Sequence, residues 1–408
     1  MRPSIRFHLA AGCVLLALSV PAPAAGPMPK LERIAMLMRH GIRPPTSLQP
    51  IPAKYSPKAW PKWSVGPGLL TGHGAKGIGL LAQSDRAYLV GAGLLPVSGC
   101  PSPGQISVYS SNITRAVETA QAWVGSFVPG CTIEVRHPAS GAPDPLFHII
   151  EGKPSWFDGH QAFEAALAQS PRGGLAAQAH ELEPEMRRLQ SVLGCTLPEC
   201  NLEKDQTRLV ERPHGRPDFN GPLDVASTAS ESFLLEYLEN KPASEVGWGR
   251  LNRDEIERLL VFNSIKFKYV DRPLFIARAA AGPLASVILK ALTEPSGPRI
   301  TLLSGHDTNI ADLGGLLNLH WRVTGYPADA IPPGSALGFE LFSSPSGREF
   351  VRAFYRAQRM EQLRHLEQLG PKNQPFRTYL RIPGCGRPDD AQSCSLQSFT
   401  KLIEARLR

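Results

Sequence analysis

The sequence predicts an α/β protein: a mixed or parallel-type sheet flanked by helices, with a smaller α-helical domain inserted over a cleft. Three observations carry this expectation. Strand-like and helix-like segments alternate at both ends of the chain, which is the pattern of a sheet covered by helices. The middle, from about residue 156 to 295, is helical in pattern with few strand signals. Three chemically unusual clusters each come directly after a predicted strand.

The elements follow in order. "RIAMLM" (33–38), "QISVYS" (105–110), "TIEVRH" (132–137) and "RITLLS" (299–304) are short apolar or alternating runs that predict strands. "GFELF" (338–342) and "EFVRAFY" (349–355) predict a hairpin around "SSPSG". Helical periodicity marks 77–95, 116–127, 230–240 and 283–292. The expected organisation is an α/β domain built from 28–155 and 296–408, interrupted by a mainly helical cap over 156–295.

Length and composition agree with a globular enzyme-sized chain. Its 408 residues favour two domains over one. Apolar residues make up 42% and charged residues 20%. The N-terminus reads as an export signal: Arg2 and Arg6, then the apolar "LAAGCVLLALSV", then small residues around Ala24 and Ala25. Cleavage there makes 1–25 a signal peptide, and the run is too short to span a bilayer. "AAGC" ending at Cys13 resembles a lipoprotein site only faintly, because few apolar residues precede it. Six cysteines remain: Cys100, Cys131, Cys195, Cys200, Cys385 and Cys394. An even number after a signal predicts disulfides and a periplasmic or secreted location. The pairing is open from sequence, with neighbour pairing the simplest choice. Without Arg2 and Arg6 the chain has 42 Lys and Arg against 36 Asp and Glu. The surplus is mild and scattered, so nucleic acid is not an expected partner. A small anionic substrate is, with no membrane contact after cleavage and a monomeric state.

The clusters are "RHGIR" after the first strand, "SNITR" after the second and "GHDTN" after the fourth. Ligands bind beyond the carboxyl ends of strands in open α/β sheets. If the three strands are neighbours, Arg39, His40, Arg43, Arg115, His306 and Asp307 share one pocket. Three guanidinium forks suit a dianionic phosphate. A neutral His40 among them is a nucleophile for phosphorus. Asp307, kept in its acid form by an adjacent phosphate dianion, is the candidate donor to a leaving oxygen. No metal-ligand spacing is present, so neither metal nor cofactor is expected. "GHDTN" also reads as a helix start near Asn309, with Asp307 or Thr308 as cap. "GHGAKG" (72–77) fits a dinucleotide fingerprint but lacks a preceding strand and a following acidic residue. Of the other histidines, His148 included, none shows ligand spacing; they are expected to be structural or solvated. "NIT" at 112–114 is a glycosylation sequon, read as an ordinary loop.

These motifs resemble those of the histidine acid phosphatases. "RHGIRPPT" is similar to their RHGxRxP signature and "GHDTN" to their HD proton-donor motif. "SNITRAVETAQAW", "PDPLF" (143–147), "VGWGR" (246–250) and "PPGSALGFE" also resemble family segments, and the bacterial periplasmic phytases are the most similar branch. The resemblance implies an α/β domain with a helical domain over the cleft. It implies His40 as nucleophile, Asp307 as proton donor, and Arg39, Arg43, Arg115 and His306 as phosphate contacts. It further implies Thr46 and Glu231 at the substrate. Ser47 stands where those phytases often have a lysine. The neighbour disulfides 100–131, 195–200 and 385–394 are also the family pattern. The implied activity is phosphomonoester hydrolysis, with phytate first and glucose-1-phosphate or broad specificity as alternatives. A phosphoglycerate mutase or a phosphate-binding protein without turnover are more distant ones.

Overall fold

The computed structural model describes residues 28–195, 200–203, 205–386 and 390–408; the expected signal peptide lies outside them. The strands are β1 (Lys30–Arg39), β2 (Ile106–Ser110), β3 (Val135–Arg136), β4 (Arg208–Val210), β5 (Asp218–Asn220), β6 (Ile300–Gly305), β7 (Ala336–Ser343), β8 (Glu349–Ala357), β9 (Phe376–Leu380) and β10 (Ser393–Ser395). The helices are α1 (Gly72–Gly91), α2 (Thr114–Phe127), α3 (Gly159–Leu167), α4 (Gly174–Glu181), α5 (Glu183–Leu193), α6 (Pro222–Leu238), α7 (Arg253–Leu259), α8 (Val261–Val270), α9 (Leu274–Thr293), α10 (Asp307–Leu316), α11 (Met360–Arg364) and α12 (Leu396–Leu407).

The main sheet runs β10-β8-β7-β1-β6-β2-β3, with β9 also on β8. β1, β6, β2 and β3 are parallel neighbours, and β7 joins β1 antiparallel. The sheet is therefore mixed, as expected. β6 is buried along its whole length, and β1 from Ile34 onward is almost wholly so, which is why both read as continuous apolar runs rather than alternating ones. Alternate residues of β1 still face opposite layers. Ile34, Met36 and Met38 pack with Trp123 and Phe127 of α2, while Ala35 and Leu37 pack with Leu284 of α9 and Ile310 of α10.

Some boundaries depart from the sequence reading. The predicted strand 132–137 contracts to Val135–Arg136, because this edge position has only β2 to pair with. α6 starts eight residues earlier than its periodicity indicated, with Pro222 in its first turn, where a missing N–H costs nothing. α9 begins at Leu274 and runs through Pro283. The lost hydrogen bond there is offset by burial of Ile276, Ala277, Ala280, Ala281 and Leu284. By length and composition α9 would pass for a membrane span, although the sequence reading found none beyond the N-terminal run. In this fold its apolar face is core. All three disulfides join neighbours: Cys100–Cys131, Cys195–Cys200 and Cys385–Cys394, with Cα separations of 5.6, 5.3 and 5.1 Å.

One buried ion cluster ties the sheet side to the helical middle. Arg216, just before β5, donates both terminal nitrogens to Asp312 of α10 at 2.7 and 2.8 Å. It also reaches Asp271, after α8, at 3.1 Å and Glu151 at 3.1 Å. Asp312 has no exposed side-chain surface and Asp271 only 3%. Burial pushes Asp312 up to about 6 against the pull of Arg216, and burial raises Asp271 as well. Removing one member of such a cluster strands the others without a partner. Arg216→Ala is expected to lower unfolding stability by about 3–5 kcal/mol near neutral pH. A carboxyl whose folded pKa is raised binds protons preferentially in the folded state, so its cost grows as pH rises through that range. Urea denaturation should therefore show a smaller loss near pH 4.5 than near pH 8. Equal losses at both would contradict this account.

Candidate active site

Strand register assembles the site. Arg39 pairs with Gly305 across β1 and β6, and Ser110 with Ser304 across β2 and β6. The residues that follow, His40, His306 and Ser111, therefore leave the sheet side by side. The three clusters converge as the sequence anticipated, at the carboxyl ends of adjacent parallel strands.

His40 is held from several directions. Its N–H donates to the Gly305 carbonyl (3.0 Å), and its own carbonyl accepts from the Gly334 N–H (3.0 Å). The Gly41 N–H donates to Thr119 of α2 (3.0 Å). The loop is pressed against the start of α1. A Cβ on Gly41 would sit 2.8 Å from Leu70, and one on Gly74 would sit 2.6 Å from the Ile42 carbonyl oxygen. This close approach accounts for Gly41 of "RHG" and Gly74 of "GHGAKG" as contact surfaces.

The imidazole of His40 is 1% exposed. Its Nδ1 lies 2.8 Å from the Gly41 carbonyl, an acceptor, so Nδ1 carries the proton and Nε2 the free lone pair. Burial, then Arg43, Arg115 and Arg39, drive its pKa well below the ordinary histidine value. The same burial and the same three guanidiniums favour the neutral ring.

Arg39 is also 1% exposed. Its Nη2 contacts Glu231 of α6 and Asp307 (2.9 Å), and its Nη1 donates to the Ile331 carbonyl. Burial works against its charge, but Asp307 and Glu231 outweigh it. Arg43 donates to the Pro44 carbonyl at 3.0 Å. Arg115, in the first turn of α2, stands 3.4 Å from Nδ1 of His306. Burial and Arg43 pull it down to about 10. In all three guanidiniums the buried Nε has no hydrogen-bond partner among the described residues. Uncompensated buried donors are costly, and three around one imidazole point to an anion as the missing partner.

α10 starts at Asp307 rather than near Asn309, so His306 takes the capping position expected of Asp307 or Thr308. The Asn309 side chain accepts from the His306 N–H at 2.9 Å. The Asp307 carboxylate accepts the Thr308 N–H with Oδ1 and turns Oδ2 to Arg39. Burial raises the Asp307 pKa, yet Arg39, Arg43 and His306 more than offset it and hold the carboxyl below its usual value. Asp307 is thus held as a carboxylate beside Arg39.

Of the remaining expected residues, Thr46 is exposed near Arg115; a Cβ on Gly68 would touch both, at 3.6 and 3.8 Å. Ser47 is exposed and donates to the Gln49 carbonyl at 3.2 Å. It lines a cavity of about 370 Å³ with Trp60 and Trp63. Glu231 is spent on Arg39. Asn112 of the sequon uses its amide on the Ala139 and Ala142 carbonyls (3.1 and 2.8 Å). Sequence reasoning missed Ser111 and His148. Both touch Nε2 of His306, at 3.3 and 3.1 Å. The one available signal for His148 was its place directly after "PDPLF".

Comparison with known proteins agrees with this geometry. The profile of the histidine phosphatase superfamily (branch 2) matches residues 30–207 and 228–356. The chain is 31% identical to phytase AppA of Escherichia coli, covering 93% of this chain and 92% of that one. It is 31% identical to glucose-1-phosphatase of Salmonella typhimurium, covering 99% of each. Hafnia alvei phytase in complex with myo-inositol hexakis sulphate superposes with a TM-score of 0.86 at 28% identity, over 95% of this chain and 98% of that one. The chain belongs to branch 2 of the histidine phosphatase superfamily and is a phosphomonoester hydrolase.

Proposed function

We propose that this phosphatase hydrolyses phytate through a phosphohistidine on His40. The observation that carries the reading is the neutral His40 imidazole surrounded by three guanidiniums, each with a buried, unpartnered Nε–H. The phosphoryl group sits among Arg39, Arg43, Arg115 and His306. Nε2 of His40 attacks phosphorus, the ester P–O bond breaks, and the leaving oxygen takes the proton of Asp307. The phosphoryl dianion is what raises Asp307 from its ligand-free, ionised state to an acid. Water then attacks the phosphohistidine, giving its proton to the Asp307 carboxylate and releasing inorganic phosphate. Glu231 acts through Arg39, holding it against the pocket, and Thr46 meets the substrate at the rim.

In this reading 28–155 and 296–408 form the catalytic α/β domain and 156–295 the cap, with α9 packed on the sheet as the link between them. Three disulfides support an oxidising compartment, periplasmic or extracellular, and a monomeric enzyme suffices, since every proposed site residue lies in one chain. A second reading, glucose-1-phosphatase, is favoured by Ser47: a short side chain turned to its own loop gives no cationic contact to outer phosphates. It is also the activity named for the relatives from Salmonella typhimurium and Providencia rettgeri.

Phosphate release from phytate, glucose-1-phosphate and p-nitrophenyl phosphate at acid pH separates these readings. The expected result is the highest kcat/KM for phytate, abolished for every ester by His40→Ala. Higher kcat/KM for glucose-1-phosphate would move the assignment to the second reading. Asp307→Asn tests the donor. Nitrophenolate leaves without a proton and an inositol alkoxide does not, so the variant should lose about a hundredfold or more in kcat on phytate and much less on p-nitrophenyl phosphate. Equal losses on both would remove Asp307 from that role.

A further inference from the structure

Two imidazoles meet beside the phosphoryl pocket, and only one of them belongs to a motif. His306 follows β6, and His148 lies in the loop after Phe147. Their Nε2 atoms are 3.1 Å apart. Ser111 Oγ lies 3.2 Å from one and 3.3 Å from the other. Two ring nitrogens so close need one proton between them, since two N–H groups or two lone pairs would repel. The second nitrogen of His306, Nδ1, is 3.4 Å from Arg115 Nη2, which can only donate. Against this donor Nδ1 is therefore the bare lone pair. The proton sits on Nε2 and points at His148 or Ser111.

That tautomer is the wrong one for a bound phosphoryl group, because a lone pair would face an anionic oxygen. To donate there, His306 must gain a proton on Nδ1. A full second proton on His306 alone is opposed by burial, then by Arg115 and His148. His148 offers a second place for charge. Burial holds its pKa below the ordinary histidine value, with Arg115 and Arg216 helping, while Glu151 and Asp144 pull the other way and an arriving dianion adds to their pull. It is also less buried than His306. One proton taken from solvent then leaves a proton shared between the two Nε2 atoms and an N–H at Nδ1 of His306.

We propose that His148 is a positioning residue of the phosphatase reaction: through the Nε2···Nε2 contact it holds the proton that turns Nδ1 of His306 from an acceptor into a donor toward the substrate's phosphoryl group. The proposal rests on the reading of the His40 pocket as the phosphoryl site. The pair goes from neutral to cationic as the dianion arrives. Arg115 of α2, Arg43, Asp307 and the His40 ring, its centroid 5.5 Å from that of His306, face it from the pocket side. Asp144 and Glu151 face it from its own loop, and Arg216 from the segment before β5.

Sulfate is the probe, a dianion that does not titrate between acid and neutral pH. Calorimetric binding in buffers of different protonation enthalpy counts the protons taken up per sulfate. His148→Gln keeps a hydrogen-bonding side chain but cannot hold a proton. It is expected to take up about one proton fewer than the native enzyme near pH 6. Its sulfate affinity should fall by about tenfold to a hundredfold, the range for losing a charge-assisted hydrogen bond. A folded variant with the native proton count and the native pH dependence of affinity would overturn the proposal. Should His148→Gln not fold, 15N spectra of histidine-labelled native enzyme decide: saturating sulfate must make the His148–His306 pair cationic, and two neutral rings would overturn it. Competition of sulfate with p-nitrophenyl phosphate, followed alongside, tests the pocket itself. Competition with an unchanged proton count sinks His148 alone, whereas absent competition sinks the pocket reading and this proposal with it.

Discussion

The Arg39 guanidinium, clasped between Glu231 and Asp307 with no access to solvent, is the contact on which the rest of the site depends. It joins the end of β1 to the start of α10 and to α6 of the helical middle. A buried cation of this kind is tolerable only with partners of opposite charge. Its two carboxylates serve that need, and they leave its Nε directed at no protein group. The same pair of contacts sets the state of Asp307, whose ionisation is tied to Arg39. In the proposed reading an arriving phosphoryl dianion competes for Arg39 and thereby makes Asp307 more acid-like, so that binding and donor activation would be one event.

Close backbone contacts make this possible. His40 is fixed through both its amide and its carbonyl, and glycines at 41, 74 and 305 let loop, helix and strand approach within distances no side chain would permit. At Gly305 a Cβ would lie 2.6 Å from the Phe147 ring. The same Phe147 carbonyl accepts from Asn309 at 2.8 Å, tying the first turn of α10 to the loop that carries His148. Catalytic groups on stiff strand ends, supported by a fixed second layer, are placed more reproducibly than groups on free loops.

Much of this was legible in the sequence because the chemistry sits at strand ends. A run such as "IAMLM" followed by Arg, His and Arg is unusual whatever the fold. What sequence could not supply was strand adjacency: that β6 inserts between β1 and β2 is a pairing across about 200 residues or more, invisible to local pattern. Helix starts were misjudged at α9, where packing overrode the breaking signal of Pro283, and at α6, where Pro222 in the first turn is itself a start signal that the apolar periodicity did not reach. The cap of α10 falls on His306, whose N–H the Asn309 side chain accepts, while Asp307 accepts the Thr308 N–H. His148 was read as structural or solvated, since a single histidine after an apolar turn has no spacing to mark it. Its partner lies 158 residues away.

The central claim is that His40 attacks phosphorus before water does. The stereochemical course at phosphorus tests it most directly, using a substrate whose phosphoryl group is made chiral with oxygen isotopes and sulfur. Each in-line displacement inverts the centre. Two successive displacements, through His40 and then through water, predict net retention. Net inversion would mean that water attacks the ester in one step, and that His40 is a charge-stabilising neighbour and no nucleophile.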